Sequence, residues 1–406
     1  MKDISKCIWF ISKYASPLKY GFASRHFYLS KVFSALGYRT IIISSDSNHL
    51  VEIPRRDRTY YHEVIDGIDT WWIRTVKYHG VKSFRRILSW IDFELKLWWM
   101  PKHGLPRPDV VIVSSLSLLT VFNGFLLKRK YGCKLIFEVR DIWPLTITEV
   151  GGFSSWNPGV MILTWVEKFG YRHADVIVGT MPNLTEHVTT VMGRPMNCVC
   201  VPSGYDPDIY DNLKALPEGY ATHYIPRGKF IVGYAGTIGL SNALEPLIDC
   251  AIAMKDDKRV HFLLLGEGDL LETYKAQVQG LSNISFLPKV EKAQVNAVLN
   301  HCQILYFSVK ESKVWSYGLS LNKLIDYMMA AKPIIASYSG YQSMINEAQC
   351  GRFIPVNDVP ALRQVIEEYS KMSPGQLQEI GQRGKAWLIS HRSSDKIAQD
   401  YCRLFE

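Results

Sequence analysis

The chain has 406 residues, enough for about two domains, and 47% of them are hydrophobic, which leaves little room for long disorder. Forty-seven Lys and Arg against 38 Asp and Glu give a net charge of +9. That excess suits an anionic ligand, a membrane surface or nucleic acid, and the lack of any dense Lys/Arg run sets nucleic acid aside. The eight cysteines are dispersed, with no C-x-x-C pair and no secretion signal before them, as in a reducing compartment. Cys198 and Cys200 alternate in an apolar strand and are expected to be buried thiols.

Short apolar runs alternate with helix-length segments. In the first half the pattern predicts strands at 7–12, 40–45, 110–114, 135–139, 176–179 and 198–201. Helices are predicted at 24–36, 118–130, 159–172 and 183–192, and Asp66-Gly67 marks a hairpin between 61–65 and 70–75. The charge-free run 110–127 holds three serines, Thr120, Asn123 and Gly124. It reads as a buried strand, a loop and a helix rather than a membrane span. The second half repeats the pattern, with strands at 230–234, 261–265, 284–287, 304–308, 333–337 and 352–356.

Continuous apolar strands separated by helices imply parallel sheets covered on both faces. The expected fold is α/β, two doubly wound Rossmann-like domains facing across a cleft. The boundaries are placed at 1–205 and 206–385, with a C-terminal helix at 386–406 packing back toward the first domain.

Several strand ends carry chemistry. Gly21 to Arg25 follows the first strand and opens a helix, where small residues let backbone N–H groups face a ligand; a plain strand–helix turn fits equally. Glu138, Arg140 and Asp141 end a buried strand, where charges need a cleft or one another; Arg140–Asp141 as a simple ion pair is the other reading. In the second half Gly236, Thr237 and Gly239 end one strand, and Gly266 and Glu267 end the next. Neither stretch is a Walker A loop or a G-x-G-x-x-G motif. Asn322 and Lys323 open a helix with Asp326 one turn on. An anionic group suits the helix end and Lys323, and two sugar hydroxyls suit Asp326; a capped helix with a Lys323–Asp326 surface pair is the plainer account. Asp206-Pro207-Asp208 has D-x-D spacing but reads as a turn, and the histidines do not cluster, so no metal site is assigned.

Residues 82–103 combine Arg85, Arg86, Trp90, Trp98 and Trp99 on one amphipathic helix. That fits a membrane interface, and packing of the aromatics on the core fits as well.

As a set, Gly21 to Lys31, Phe137 to Pro144, Tyr234 to Gly239 and Asn322 to Met329 with Lys332-Pro333 resemble glycosyltransferase family 4. This is a GT-B group of retaining, usually metal-independent transferases, and the resemblance is strongest to a bacterial fucosamine-transferase-like subgroup of surface-polysaccharide biosynthesis. It implies a hexosyl- or N-acetylaminosugar transferase with a nucleotide-sugar donor, a UDP-sugar, in the second domain. The implied acceptor, on the first domain, is a polyprenyl-diphosphate-linked saccharide of O-antigen, capsule or exopolysaccharide assembly. It implies no cofactor and no metal, a cytoplasmic location peripheral to the inner membrane face, and Gly21 and Arg25 on the acceptor side. Glu138, Arg140 and Asp141 are then the expected catalytic group, lining the reaction side and orienting the acceptor. Asp326 falls where the family's second motif acid holds the donor ribose. The first motif acid would stand at Gly318 and is missing, the family's basic residue would fall near Thr237, and Arg140 replaces a histidine. A non-catalytic nucleotide-sugar-binding subunit and a nucleotide-sugar epimerase are the alternatives.

Overall fold

The computed structural model describes residues 6–20, 24–48, 51, 53–54, 57–78 and 83–406. The chain divides into two compact units, Met1–Asp206 with Ser394–Glu406, and Pro207–Ser393.

The first unit opens with β1 (Cys7–Ile11), α1 (Arg25–Ala35) and β2 (Arg39–Ser45). A hairpin follows, β3 (Tyr60–Ile65) and β4 (Ile68–Ile73), then α2 (Phe84–Trp99), β5 (Val110–Ser114) and α3 (Thr120–Tyr131). The unit continues through β6 (Lys134–Val139), α4 (Leu145–Glu149), α5 (Pro158–His173), β7 (Val176–Gly179), α6 (Leu184–Met192) and β8 (Cys198–Cys200).

Its eight strands lie in the order β3-β4-β2-β1-β5-β6-β7-β8. Neighbouring strands pair in parallel except β3 with β4, which are antiparallel. Asp66 (φ 51°) and Gly67 (φ 79°) supply the two left-handed residues that match a hairpin's twist. The run 110–127 resolves into buried β5, a loop and the start of α3. β8 is an edge strand, so Cys198 is half-buried and Cys200 exposed, against the expectation of buried thiols. β1 lies between β2 and β5, so chain direction across the sheet reverses there, the place where such sheets open a ligand crevice at their carboxyl ends.

The second unit begins with two short helices, α7 (Pro207–Tyr210) and α8 (Tyr220–Tyr224). Then come β9 (Phe230–Ala235), α9 (Glu245–Ala253), β10 (Val260–Leu265), α10 (Leu271–Gln277), β11 (Ile284–Leu287) and α11 (Val295–Leu299). It closes with β12 (Ile304–Ser308), α12 (Asn322–Met329), β13 (Ile334–Ser337), β14 (Gly351–Ile354), α13 (Val359–Ser370) and α14 (Pro374–Arg392). Its parallel sheet has the order β11-β10-β9-β12-β13-β14, with the reversal between β9 and β12.

Pro374 and the reciprocal Ser373–Gln376 capping pair start α14, which runs unbroken through the expected boundary at 386. Extended backbone at Ser393 ends it, and α15 (Ser394–Cys402) then packs on α1 in the first unit. There Tyr401 and Phe405 lie edge-on to Phe33, and Lys6 Nζ donates to the Phe405 carbonyl at 2.9 Å. Among the described residues no helix is long and apolar enough to cross a membrane.

Candidate functional site

In the second unit the loops after β9 and β10 clasp each other through backbone bonds. Gly236 N–H donates to the Leu265 carbonyl at 3.0 Å and Ile238 N–H to that of Glu267 at 2.8 Å. A Cβ on Gly266 would stand 1.8 Å from the Gly236 carbonyl oxygen, so this glycine serves the close approach of two chain segments rather than of a ligand. Glu267 is exposed and pairs with exposed Lys289. Thr237 is exposed, its carbonyl accepting from Tyr234 and Asn242. Gly239 has ordinary space around it and an extended φ.

Gly236 is different: a Cβ there would lie 3.3 Å from Lys323 Nζ. Lys323, on the first turn of α12, reaches back to the end of β9, where Nζ donates to Tyr234 Oη at 3.2 Å and to Asn242 Oδ1. The ammonium also stands over the Tyr234 ring, 4.8 Å from its centre. Among the described residues no carboxylate lies within ion-pair distance of it. Burial without a counter-charge pushes its pKa down to about 7. Asn322 is the first helical residue of α12, exposed, with Leu321 rather than Asn322 at the cap position.

Asp326 pairs with Lys292 rather than Lys323. Lys292 Nζ meets both carboxylate oxygens, at 2.5 and 2.6 Å, and Tyr210 Oη donates at 2.7 Å. A carboxylate has about four lone-pair sites, so acceptor capacity is left for hydroxyl groups. Gly318 has φ 102°, a left-handed conformation that a glutamate would adopt only with strain, which gives a local reason why no acid stands there. Asp206 is buried and Pro207 starts α7, in keeping with a turn at that D-x-D sequence.

In the first unit two expectations need correction. Glu138 does not line a reaction face: it is fully buried, and so is Arg25. Glu138 Oε1 lies 3.2 Å from Arg25 Nε and accepts from Tyr401 Oη of α15; Oε2 accepts from Ser114 Oγ at 2.5 Å. Arg25 also donates to the Val201 carbonyl at 3.2 Å, so it faces the interior rather than an acceptor. Burial alone would raise the Glu138 carboxyl, but Arg25, with His26 and Arg140, holds it well below the usual carboxylate range. Gly21 lies outside the described residues.

Arg140, half-buried, and Asp141, exposed, lie just past the end of β6, with no ion pair between them among the described residues; partial desolvation raises the Asp141 carboxyl. Ser115 Oγ accepts from Arg140 N–H at 2.9 Å and Thr180 Oγ1 donates to its carbonyl at 3.4 Å, fixing the turn. Two residues on, Trp143 meets Trp90 of α2 edge-on at 5.3 Å.

Arg86 is therefore buried and Trp90 half-buried, each held by partners within the unit. Arg86 is buried, stacked on Trp90 and Tyr14, and both donate to Tyr14 Oη, at 3.3 and 2.5 Å. Arg85, Trp98 and Trp99 remain exposed. Sequence reasoning missed Lys292, Tyr210, Tyr234 and Asn242. The first two stand 34 and 116 residues from Asp326, so no local spacing marks them.

Comparison with known proteins bears on the fold and the family. Residues 28–204 match the family described as "Glycosyl transferase 4-like domain", and 229–371 match "Glycosyl transferases group 1". The comparison with curated proteins found no match. Among solved structures, sucrose-phosphate synthase from Thermosynechococcus elongatus superposes with a TM-score of 0.74 at 16% identity, covering 98% of each chain. The structure of "Trehalose-6-phosphate from E. coli bound with UDP-2-fluoro glucose" gives 0.73 at 10% identity, covering 98% of this chain and 99% of that one. Anabaena Alr3699/HepE in complex with UDP-glucose gives 0.64 at 12%, covering 98% of each. Matched by glycosyltransferase families over both of its units, the chain is a glycosyltransferase with the GT-B fold.

Proposed function

We propose that the protein moves a sugar from a nucleotide-sugar, a UDP-sugar, to a polyprenyl-diphosphate-linked saccharide in surface-polysaccharide assembly, working at the inner face of the membrane. The donor is held by the second unit. The observation that carries this is Lys323, a half-buried ammonium with no carboxylate within ion-pair distance among the described residues, at a carboxyl strand end beside a glycine. A diphosphate would supply the missing counter-charge. As the bond to the sugar breaks, negative charge grows on that diphosphate, and Lys323 with the first N–H groups of α12 would stabilise it. No metal is assigned a part. Asp326 would accept from the ribose hydroxyls, with Lys292 and Tyr210 holding its carboxylate in place.

Binding of UDP or UDP-glucose by solved structures of the same fold supports the choice of donor. On the first unit Arg140 and Asp141 would orient the acceptor. The resemblance to family 4 supports retention of anomeric configuration and a lipid-linked acceptor.

The test is release of nucleoside diphosphate from a panel of UDP-sugars, with and without lipid-linked saccharide. Release that depends on the acceptor supports the proposal; sugar interconversion without acceptor would replace it with an epimerase. Gly318 in place of the family's first acid favours one second reading, a non-catalytic donor-binding subunit, marked by binding without turnover.

Asp326→Asn is expected to raise the donor KM by about tenfold or more, since hydrogen bonds to a charged group contribute about 1.5–3 kcal/mol. Steady-state kinetics check this, and an unchanged KM would remove Asp326 from the ribose.

A further inference from the structure

We propose that α2 and α5 together form a two-helix platform that docks the first unit on an anionic lipid bilayer. This rests on the lipid-linked acceptor above and extends it to a surface that the reading of 82–103 did not include.

On α2 the outward stripe is Phe84, Ile87, Ile91, Leu95, Trp98 and Trp99, a helical repeat of exposed apolar side chains. α5 and the residues leading into it add a second group: Trp156, 83% exposed, with Met161, Ile162 and Trp165. α3 lies against both helices. Its Thr120 and Asn123 donate to Glu94 of α2 at 2.5 and 2.8 Å, and its Phe122 stands 5.6 Å from Trp165. Apolar exposure on this scale in one domain marks an interaction surface.

Charge selects the occupant. Every acid on the two helices is engaged with neighbouring groups. Asp92 pairs with Lys96 and accepts from Val76 N–H, Glu94 is held by α3, and buried Glu167 meets His187 at 2.7 Å and Tyr171 at 3.1 Å. The charges left exposed are cationic: Arg85 beside the α2 stripe, and Lys168 and Arg172 continuing the Trp165 line one and two turns on. The wider balance agrees. The first unit holds 28 Lys and Arg against 20 Asp and Glu, a balance of +8, whereas the second holds 19 against 18, only +1. Exposed tryptophans rimmed by Lys and Arg match the polar–apolar boundary of an anionic bilayer, where the ring is half-immersed and the cation meets headgroup phosphate. A flank of α2 between that stripe and its buried face carries Trp90 to Trp143, so the docked helix borders the turn that holds Arg140 and Asp141.

The experiment is co-sedimentation of the full chain with vesicles of phosphatidylcholine alone and with added phosphatidylglycerol, with tryptophan emission followed in parallel. Wild type should bind the anionic vesicles and shift its emission to the blue. Trp156→Ser with Trp165→Ser, and separately Trp98→Ser with Trp99→Ser, should each weaken binding by about tenfold or more while keeping the wild-type thermal midpoint. The platform is overturned if the α5 pair binds like wild type, or if neutral vesicles bind as well as anionic ones. It is equally overturned if wild type ignores vesicles and forms a dimer that the same substitutions dissociate. Vesicle binding without turnover of any lipid-linked saccharide supports the platform and refutes the acceptor reading, so the two fail separately.

Discussion

Lys323→Ala is expected to lower turnover of the nucleotide-sugar by about 100-fold or more, the usual loss when one donor to a developing negative charge is removed. The reason lies in what Lys323 lacks. Among the described residues its polar partners are the neutral oxygens of Tyr234 and Asn242, and desolvation brings its pKa down to about 7. Near neutral pH much of the free protein thus carries Lys323 unprotonated. A bound diphosphate stabilises the ammonium and raises its pKa, so binding takes up a proton above about pH 7. Donor affinity should therefore fall by up to about tenfold per pH unit from about 7 upward, until the pKa of the bound state is reached. Asn242→Ala, which leaves the charge but frees the amine to wander, should cost less than Lys323→Ala. Turnover of Lys323→Ala within a few-fold of wild type would remove the residue from the reaction.

The second large effect belongs to the first unit. Glu138→Ala should destabilise that unit by roughly 3–5 kcal/mol, because Arg25 would be left charged and buried without its partner. Glu138→Gln keeps the shape and a partner for Ser114 and Tyr401 but removes the charge, and should fall between the alanine variant and wild type. Urea unfolding followed by intrinsic fluorescence checks the order. The pH dependence has a defined sign. The folded Glu138 carboxyl is held below its unfolded value near 4, so its contribution is complete above about pH 4 and is lost as pH falls through the folded value. Wild type should lose stability more steeply in acid than Glu138→Gln, and parallel profiles would show that the buried pair has no such linkage.

These two residues also show how far the chain's chemistry can be read from its sequence. The alternation of apolar strands and helices was enough for two parallel sheets, because strands buried on both faces leave continuous Val, Ile and Leu runs. Lys323 was legible too, as a cation opening a helix after a loop of small residues. Glu138 was legible only as a charge near a strand end. That β6 turns it toward α1 and α15 depends on Tyr401, 263 residues away, and no local pattern carries that.

α2 shows a related ambiguity. Positions 86, 89, 93 and 97 form one face of the helix and 84, 87, 91, 95 and 98 another. Tryptophan or arginine occurs on or beside both, so only packing separates Arg86 and Trp90, held by Tyr14, from exposed Trp98 and Trp99. The alternative reading of Asp326, a surface pair with Lys323, fails for the same reason: helical spacing allows Lys323, but the loop after β11 delivers Lys292 to it.

The most direct measurement is a calorimetric titration of uridine diphosphate into wild type and Lys323→Ala at pH 6.5 and 8.5. The structure predicts that wild type binds more tightly at the lower pH, and that the variant binds at least about tenfold more weakly than wild type there, with little pH dependence. Equal affinity of the two proteins at both pH values would contradict the assignment of the donor diphosphate to Lys323.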